Sequence, residues 1–449
     1  MQALLTLPMN INGIEKTLRK RWFIWTSLIL VYIVGYFHRV APAVIAEDLM
    51  RAFQTSGVLL GVLSSVYFYT YAAMQIPAGI LSDTLGPRLT ITIGGIIMGI
   101  GTIIFGAAPS LIVCYVGRFL VGLGVSVIMV NIVRTCVEWF RPNELGFITG
   151  LTTTIGGIGG LLAATPLALL SKALSWRLSF EMIGLLSILM ALNCWWIVRN
   201  RPADYGLPAL ENKNERVRYD TSQEILESRI WLRVKSVIKN PYTWPPFFGF
   251  FSFYSTLMAF SGLWGIPFLT QIYGLSAPRA ANYMMALSLG LILGCPFIGQ
   301  LSDKILVRRK LPYVFCMLVY SLIWGTLCFV NHGKPPISLM YPLCFLMGFS
   351  SSGFVLTMVC SKEVNPPSVS GIAMGTVNTG GFLGSAILQV LLGKILDMKW
   401  DNTLVNGVRF YSLNAYHTAF LVCFFTTLIG LGAALLIKET RCRNIVCDG

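Results

Sequence analysis

The stretch Gly79–Asp83, with the sequence GILSD, decides the fold of this chain because it occurs twice. Its second copy is GQLSD at Gly299–Asp303, about half of the chain length later. Each copy ends an apolar run and precedes basic residues, which are Arg88 after the first copy and Arg308, Arg309 and Lys310 after the second. Equivalent turns at equivalent positions indicate that the chain consists of two related halves.

The segments on both sides of this motif are strongly apolar. Hydrophobic residues make up 55% of the 449 residues, charged residues make up 12%, and the mean hydropathy is +0.70. Soluble domains carry roughly 25% charged residues, so this chain could not cover the surface of a soluble fold of its size. The composition therefore excludes a soluble enzyme, a disordered tail and a fibrous repeat, and it indicates a polytopic membrane protein.

Apolar windows of about twenty residues, the length that a helix needs to cross a bilayer, recur along the chain. They lie at residues 22–44, 56–80, 89–108, 111–136, 145–170, 178–199, 243–272, 280–301, 311–331, 337–360, 369–396 and 417–437. The predicted fold class is an all-α membrane protein with twelve transmembrane helices in two pseudo-symmetric six-helix bundles. Duplicated halves are typical of transporters rather than of channels or membrane enzymes.

The only long polar segment separates the two sets of spans. The predicted organisation is a cytoplasmic N-terminus at 1–21, a bundle at 22–200, a linker at 201–240, a second bundle at 241–437 and a cytoplasmic tail at 438–449.

The linker contains a predicted helix. Thr221–Glu224 has the pattern of a capping box, and apolar residues follow it at helical spacing up to Pro241. These residues are Leu226, Ile230, Val234 and Val237. Two interpretations stay open, an amphipathic helix that lies on the inner leaflet and a solvated linker helix without membrane contact.

The formal net charge of +15 comes from 34 basic and 19 acidic residues. Most basic residues fall in the termini, the linker and the loops on one predicted side, as the positive-inside rule describes. We therefore predict a bacterial inner (plasma) membrane protein with both termini in the cytoplasm. The basic excess points to anionic headgroups, and no nucleic-acid partner is expected. The expected partners are the lipid bilayer and a small solute, and the chain is predicted to act as a monomer.

Two motifs resemble those of a known family. The stretch from Gly79 to Ile91, read as G-x-L-x-D-x-x-G-x-R-x-x-I, resembles the loop between the second and third helices of the major facilitator superfamily. Arg118–Gly124 resembles the R-x-x-x-G-x-G motif of that family's fourth helix, whereas Pro87 departs from the family's usual basic residue. The resemblance implies two bundles around a cavity that opens alternately to each side. It also implies gating roles for Gly79, Asp83, Gly86, Arg88, Arg118 and Asp303.

An arginine within the first span is the most informative candidate for a binding site. Tyr32, Tyr36 and Arg39 fall on one helical face. A guanidinium beside two phenols is suited to holding a carboxylate or a phosphate in a water-filled cavity. The alternative is that Arg39 extends to the outer headgroups.

The same region resembles one branch of the family. Tyr36–Ala43 is similar to the first-helix motif of the anion:cation symporters, in which an arginine binds the substrate carboxylate, and the matching position is Arg39. His38 stands where that branch has an aspartate, and Val125 stands where it has a proton-carrying glutamate. Gly117–Leu151 also resembles bacterial relatives of the lysosomal dipeptide transporter. These resemblances imply a carboxylate-bearing metabolite, an amino acid or a dipeptide as substrate.

Coupling to an ion is the open question of the sequence. No acidic residue lies near the middle of a predicted span, so His38 is the only deep side chain that titrates near neutrality. His38 is therefore the candidate proton carrier, and a hydrogen-bonded structural histidine is the alternative. Proton symport and uncoupled facilitation both stay open.

Further polar residues complete the predicted substrate-binding set. They are Tyr67, Tyr71, Gln75, Asn131 and Asn378, and hydrogen bonding between helices is the alternative role for each. The sequence contains no phosphate loop, metal-ligand cluster or Ser-His-Asp arrangement, so no enzyme, cofactor or metal site is predicted. The predicted function is a secondary transporter of a small organic solute, an organic anion. The alternatives are an uncoupled facilitator, a drug exporter and a non-transporting membrane sensor.

Overall fold

The computed structural model describes residues 11–141, 144–208, 210 and 232–446, which are almost entirely helical. The N-terminal half contains α1 (Ile11–Val44), α2 (Ala46–Phe53), α3 (Gly57–Ala73), α4 (Gln75–Thr84), α5 (Pro87–Gly106), α6 (Leu111–Ser126), α7 (Ile128–Trp139), α8 (Leu145–Leu162), α9 (Thr165–Leu174) and α10 (Trp176–Ile197). The C-terminal half contains α11 (Trp244–Ala259), α12 (Gly265–Tyr273), α13 (Ala277–Gln300), α14 (Lys310–Phe329), α15 (Ile337–Ser351), α16 (Phe354–Glu363), α17 (Ser370–Met398) and α18 (Leu413–Leu436). An antiparallel hairpin, β1 (Leu404–Val405) and β2 (Val408–Arg409), precedes α18.

These helices confirm the predicted all-α membrane fold. Within the described ranges, eleven helical segments are long and apolar enough to cross a membrane, and the pair α2 and α3, bent by 120°, supplies a twelfth. The first helix begins at Ile11, well before the predicted span at residue 22. Hydrophobicity marks only the part of a helix inside the hydrocarbon core, whereas backbone hydrogen bonding continues beyond it.

Several spans are broken into two helices, and prolines explain three of the breaks. Pro77 and Pro166 each lie four residues beyond the last residue of α3 and of α8. Pro267 lies four residues after Leu263, which is part of the π-helical turn Phe260–Trp264 that joins α11 to α12. Proline has no N–H and clashes with the carbonyl four residues before it, so each helix is interrupted at that point.

Two pairs of helices bring the halves together. α3 packs along α17, and α8 packs along α13. Small residues allow the first pair to approach closely, because a Cβ on Gly61 would lie 2.6 Å from the carbonyl oxygen of Gln389. The interface between the halves therefore runs through the middle of the molecule.

We call the two ends of the bundle the basic end and the opposite end. The basic end holds the start of α1, the loop between α4 and α5 and the end of α18. The opposite end holds α2, the start of α3 and the β1–β2 hairpin.

The predicted linker helix is described only in its last part. Its capping box at Thr221–Glu224 and its first apolar residues, Leu226 and Ile230, lie outside the described residues, whereas residues 232–239 are described and helical. In this part Val237 is buried against Val369 and Ala373, near the start of α17. That contact is with the protein rather than with the bilayer, and the two interpretations of the linker stay predictions.

Candidate substrate-binding site

Arg39 reaches from α1 into the interface between the halves, where three phenols surround it. Its Nε donates to Tyr67 Oη at 3.3 Å and its Nη2 donates to Tyr71 Oη at 3.5 Å, both on α3. Its Nη1 donates to Tyr254 Oη at 3.2 Å, on α11 of the other half. One guanidinium thus links both halves.

Aromatic faces enclose the same guanidinium. The Arg39 Cζ lies 4.8 Å from the ring centre of Tyr36, 5.3 Å from that of Tyr71 and 5.4 Å from that of Phe382 on α17. Tyr71 and Phe382 stack with their ring centres 4.1 Å apart. We call these residues the Arg39 cluster, which consists of Tyr36, Arg39, Tyr67, Tyr71, Tyr254 and Phe382.

The Arg39 cluster holds an uncompensated positive charge. Arg39 is 6% exposed, so it does not extend to the headgroups. Within the described parts of the chain, the ion pairs involve other arginines and no carboxylate pairs with Arg39. A buried charge is costly unless an opposite charge or several hydrogen bonds compensate for it. The three phenols accept hydrogen bonds from Arg39, and no carboxylate among the described residues offsets its charge.

A second buried guanidinium, Arg118 on α6, adjoins the cluster. Its Nη1 donates to the carbonyl oxygen of His38 at 3.0 Å, and its Cζ lies 5.1 Å from the ring centre of Tyr67. The carbonyl is free to accept because Pro42, four residues later in α1, has no N–H. The Nε and Nη2 of Arg118 are buried and have no hydrogen-bond partner in the described structure. Tyr67 therefore lies between two buried cations.

His38 faces away from the Arg39 cluster. Its Nε2 lies 3.1 Å from the Thr102 hydroxyl on α5, and its ring packs against Phe37 and Phe180. Its Nδ1 is buried and lacks a partner among the described residues. The neighbours of His38 lie on α5 and α10, whereas those of Arg39 lie on α3, α11 and α17. The structure thus separates the two groups that the sequence places side by side.

Gln75 and Asn378 meet on the basic-end side of the cluster. Asn378 Nδ2 on α17 donates to Gln75 Oε1 on α4 at 3.2 Å, so this hydrogen bond also joins the halves. Gln75 lies one helical turn beyond Tyr71, and Asn378 lies one turn before Phe382. The two amides therefore lie between the Arg39 cluster and the basic end.

Tyr32 and Asn131 do not contact Arg39 in this conformation. Tyr32 is buried against Gly156 of α8, and its ring centre lies 6.4 Å from that of Tyr36. Asn131 Nδ2 donates to the carbonyl oxygen of Val127 on its own helix at 2.7 Å. The predicted substrate-binding residues therefore divide into a central group around Arg39, the neighbouring Gln75–Asn378 pair, and Tyr32 and Asn131, which lie apart.

Comparisons with known proteins identify the family of this fold. The sequence profile described as the Major Facilitator Superfamily matches residues 24–389 and 265–441. The chain belongs to the major facilitator superfamily. Membership places it among multi-pass membrane transporters of small organic solutes, as the shared motifs at Gly79–Asp83 and Arg118–Gly124 predict.

Individual relatives are more distant. The chain is 26% identical over 388 residues to the membrane sensor protein UhpC of Escherichia coli strain K12, covering 83% of this chain and 84% of that protein. It is 23% identical over 392 residues to a probable sulfoacetate transporter, SauU, of Cupriavidus necator, covering 85% and 89%. A bacterial homologue of the human lysosomal transporter Spinster, solved in an inward-facing and unoccupied conformation, matches with a TM-score of 0.75 and 17% identity, covering 93% of this chain and 97% of that one. This last similarity shows the fold.

The loop between α4 and α5, which follows the first copy of the motif, is held by the conformation of Gly86 and by contacts of Arg88. Gly86 has φ +78°, and a Cβ there would lie 2.6 Å from the Asn200 side chain. Asn200 Oδ1 accepts from the backbone N of Arg88 at 2.9 Å, and the Arg88 guanidinium lies 3.9 Å from the ring centre of Trp195. The loop thus fastens α5 to the end of α10, within one half. A Cβ added to Gly79 would have no neighbour within 4 Å among the described residues, and the side chain of Asp83 lies outside the described structure.

The second copy of the motif forms an ion-pair network within the other half. Arg309 donates to Asp303 of the motif and, from Nη2 at 2.8 Å, to Glu363 at the end of α16. The Thr440 hydroxyl also donates to Glu363, and the Glu439 carboxylate accepts from the backbone N of Arg309 at 2.8 Å. The tail therefore packs against the motif. Sequence reasoning identified Asp303 but not Glu363 or the tail, because their partners are distant in sequence.

The opposite end contains a residue that sequence reasoning missed. The Asp397 carboxylate on α17 accepts from the backbone N–H groups of Gly57 at 2.9 Å and Val58 at 2.8 Å, at the first turn of α3. Tyr411 Oη donates to it at 2.7 Å and Arg409 Nη1 at 3.2 Å. An aspartate in the last turn of a helix opposes the helix dipole, and that unfavourable position was the available signal. Its carboxylate instead caps the N-terminus of a helix in the other half.

Proposed function

We propose that this protein is a secondary transporter that moves a small organic anion across a bacterial inner membrane by alternating access. The observation that carries the proposal is the buried Arg39 guanidinium, which contacts both halves and has no carboxylate partner in the described structure. In this proposal a negative group of the substrate displaces one or more phenols and binds the guanidinium bidentately. Both halves then contact the substrate through Arg39, Tyr67 and Tyr254.

The second guanidinium supports a substrate with negative charge. Arg118 has two buried N–H-bearing nitrogens without partners among the described residues, and Tyr67 lies between it and Arg39. Two buried cations without acids beside them make a site that rejects cations and favours anions. The similarity to a protein named as a sulfoacetate transporter agrees with an anionic substrate. Drug export receives no comparable support from these contacts.

The membrane orientation in this proposal follows the distribution of charge. The basic end contains Lys16–Arg21, Arg88 and Arg309, so the positive-inside rule assigns that end to the cytoplasm. The Arg39 cluster then lies across the middle of the bilayer, with Gln75 and Asn378 on its cytoplasmic side.

We propose two alternatives for ion coupling: transport is either uncoupled, or it is coupled to protons through His38. The hydrogen bond to Thr102 on α5 and the packing of the His38 ring against Phe180 on α10 support a structural role, and hence facilitated exchange. The unpartnered Nδ1 favours the second candidate, proton symport. Accumulation of solute by an imposed inward proton gradient distinguishes them. Under symport, His38→Gln retains exchange and loses accumulation, whereas a wild-type protein that never accumulates solute excludes symport.

The experiment that tests the binding proposal is counterflow in proteoliposomes with sulfoacetate, a hexose phosphate and a hexuronate as probes. Arg39→Lys keeps the charge but loses the planar fork, so exchange of the transported anion should fall at least about tenfold. Arg51→Lys, at an exposed arginine of the opposite end, is the matched control and should exchange normally. Retained anion exchange in a folded Arg39→Lys variant contradicts the proposal.

A membrane sensor is the second candidate because one relative carries that name. A sensor with the same cluster would bind an anion without moving it. Saturable binding to the wild-type protein, lost in Arg39→Lys, together with no counterflow for any probe that binds, would favour the sensor. Saturable counterflow excludes it.

A further inference from the structure

A groove opens at the basic end between the first turns of α1 and the end of α10. Its volume is about 680 Å³, and its walls include Lys16, Arg19, Lys20 and Phe23 of α1, Trp196 of α10, and Tyr205 of the turn that follows α10. We call this the α1–α10 groove. It is remote from the Arg39 cluster, and transport does not account for it.

The helical repeat explains why three cations line this groove. Lys16, Arg19, Lys20 and Phe23 are spaced i, i+3, i+4 and i+7, so they project from one face of α1. The Lys20 Nζ lies 4.0 Å from the ring centre of Tyr205, which orients its side chain along the groove wall.

The positive charge of the groove is not neutralised by its own walls. Among the described residues that line it, none is acidic. Of the acids nearby, Glu144 pairs with Arg21 at 2.6 Å and Asp204 Oδ2 accepts from the backbone N of Arg201 at 3.1 Å. Glu15, which is exposed on α1 next to Lys16, is not part of the lining. An occupant with a negative charge therefore meets three cations and no competing carboxylate in this lining.

The groove also has an apolar, exposed wall, formed by Phe23 at the inner end of this α1 face and by Trp196 of α10. Phe23 is 59% exposed and Trp196 is 73% exposed, and both lie where α1 and α10 approach the basic end. Tryptophan is enriched at the depth of lipid headgroups, where its ring contacts acyl chains and its edge contacts polar groups. Cations next to exposed rings match a molecule with a phosphate head and a hydrocarbon tail.

We propose that the α1–α10 groove binds an anionic phospholipid. The phosphate lies against Lys16, Arg19 and Lys20, and an acyl chain runs along Phe23 and Trp196. A soluble phosphate would use the cations but would leave both rings exposed, so the apolar wall selects a lipid. Basic pockets between transmembrane helices on the cytoplasmic side are suited to such headgroups.

Native mass spectrometry of the full-length protein, released from mixed micelles of phosphatidylglycerol and phosphatidylcholine, tests the proposal. The wild-type protein should retain phosphatidylglycerol in preference to phosphatidylcholine. The triple variant Lys16→Gln, Arg19→Gln and Lys20→Gln should lower that occupancy at least about tenfold. Exchange of lysine for arginine at residues 16 and 20 should preserve it.

The matched control removes the same charge from another place at the same end. Arg308, Arg441 and Arg443 line a separate cavity whose described walls hold no aromatic ring, and their joint change to Gln should leave occupancy unchanged. Equal losses in both triple variants would mean general charge attraction and would overturn the proposal. Undiminished occupancy in the groove variant would also overturn it, as would displacement of the lipid by millimolar inorganic phosphate. Melting curves confirm that both variants are folded.

Discussion

The two ends of the molecule use their polar contacts in different ways. At the opposite end, polar contacts that cross between the halves are present, as when Asp397 caps α3 and when Thr270 donates to Glu47. At the basic end the ion pairs that we describe stay within one half, such as Arg21–Glu144 and Arg309–Glu363. The cross-half contacts of the opposite end join the halves, whereas the ion pairs of the basic end stabilise each half internally.

This difference explains why the halves are held together at the opposite end. Cross-half contacts hold the opposite end closed, whereas Gln75–Asn378 is the cross-half side-chain hydrogen bond described between the Arg39 cluster and the basic end. Contacts within a half move with it and do not resist separation of the halves. We therefore expect variants at the two ends to differ in kind as well as in size.

The largest expected effect is on folding rather than on gating. Arg309 is 5% exposed, and Arg309→Gln leaves the Glu363 carboxylate buried without its cation. The free energy of unfolding should fall by about 3–5 kcal/mol. Unfolding in detergent measures it, with the exposed neighbour variant Arg308→Gln as the control. Because the described partners of Arg309 lie in one half, the proportion of open and closed molecules should not change, and a change would break the comparison.

The next largest effect is expected at Asp397. Asp397→Asn keeps the shape but removes the charge that caps α3 across the interface, so the closed state should lose about 2 kcal/mol, or roughly 30-fold in the ratio of closed to open molecules. Spin-label distances between positions 59 and 405, on the two sides of the opposite end, measure this ratio.

Asp401→Asn is the matched control for that change. Asp401 lies in the loop that follows α17, and its carboxylate accepts from the backbone N of Thr403 in its own segment, at 3.1 Å. Its replacement should leave the distances unchanged. Equal distance distributions in the wild-type and Asp397→Asn proteins would show that the cap does not hold the halves together.

A smaller effect is expected when one neutral hydrogen bond between the halves is removed near each end, because the two removals should open opposite ends of the molecule. Gln75→Ala removes one neutral cross-half hydrogen bond near the basic end, and Asn282→Ala removes another, to Thr165, nearer the opposite end. Each should cost about 0.5–1.5 kcal/mol. Labels at positions 80 and 374 should separate more often in Gln75→Ala, and labels at positions 59 and 405 should do so in Asn282→Ala. A shift in the same direction for both variants would contradict the comparison.

The smallest effect concerns pH and the Arg21–Glu144 pair. Burial raises the pKa of Glu144, but hydrogen bonds from Arg21 and from the backbone N of Arg141 lower it more, so the pKa lies below its ordinary value. A depressed pKa means that the pair stabilises the fold above the unfolded-state value of about 4.3 and that this is lost as pH falls through the folded-state pKa. The contribution at pH 7 should be less than about 1 kcal/mol. Unfolding of wild type and Glu144→Gln should differ at pH 7 and converge in acid.

The candidate site was predictable in part. Arg39, Tyr36, Tyr67 and Tyr71 were found because helical spacing and the cost of a charge in the membrane are local properties. Tyr254 and Phe382 complete the cluster from the other half, and no pattern in the sequence relates them to Arg39. His38 shows the reverse case. It is next to Arg39 in the sequence, but its side chain points to a different side of α1, as adjacent residues of a helix do.

The sequence by itself determined the twelve-helix membrane fold, its duplicated halves and the presence of an arginine within the first span, because apolar length, repeats and rare charges need no knowledge of packing. Only the tertiary structure decided that Arg39 lacks a carboxylate among the described residues, that Arg118 binds the carbonyl freed by Pro42, and that Asp397 caps α3. Each of these depends on which distant helices meet. In a bundle whose surfaces are all apolar, close packing selects those partners and hydrophobic patterning does not.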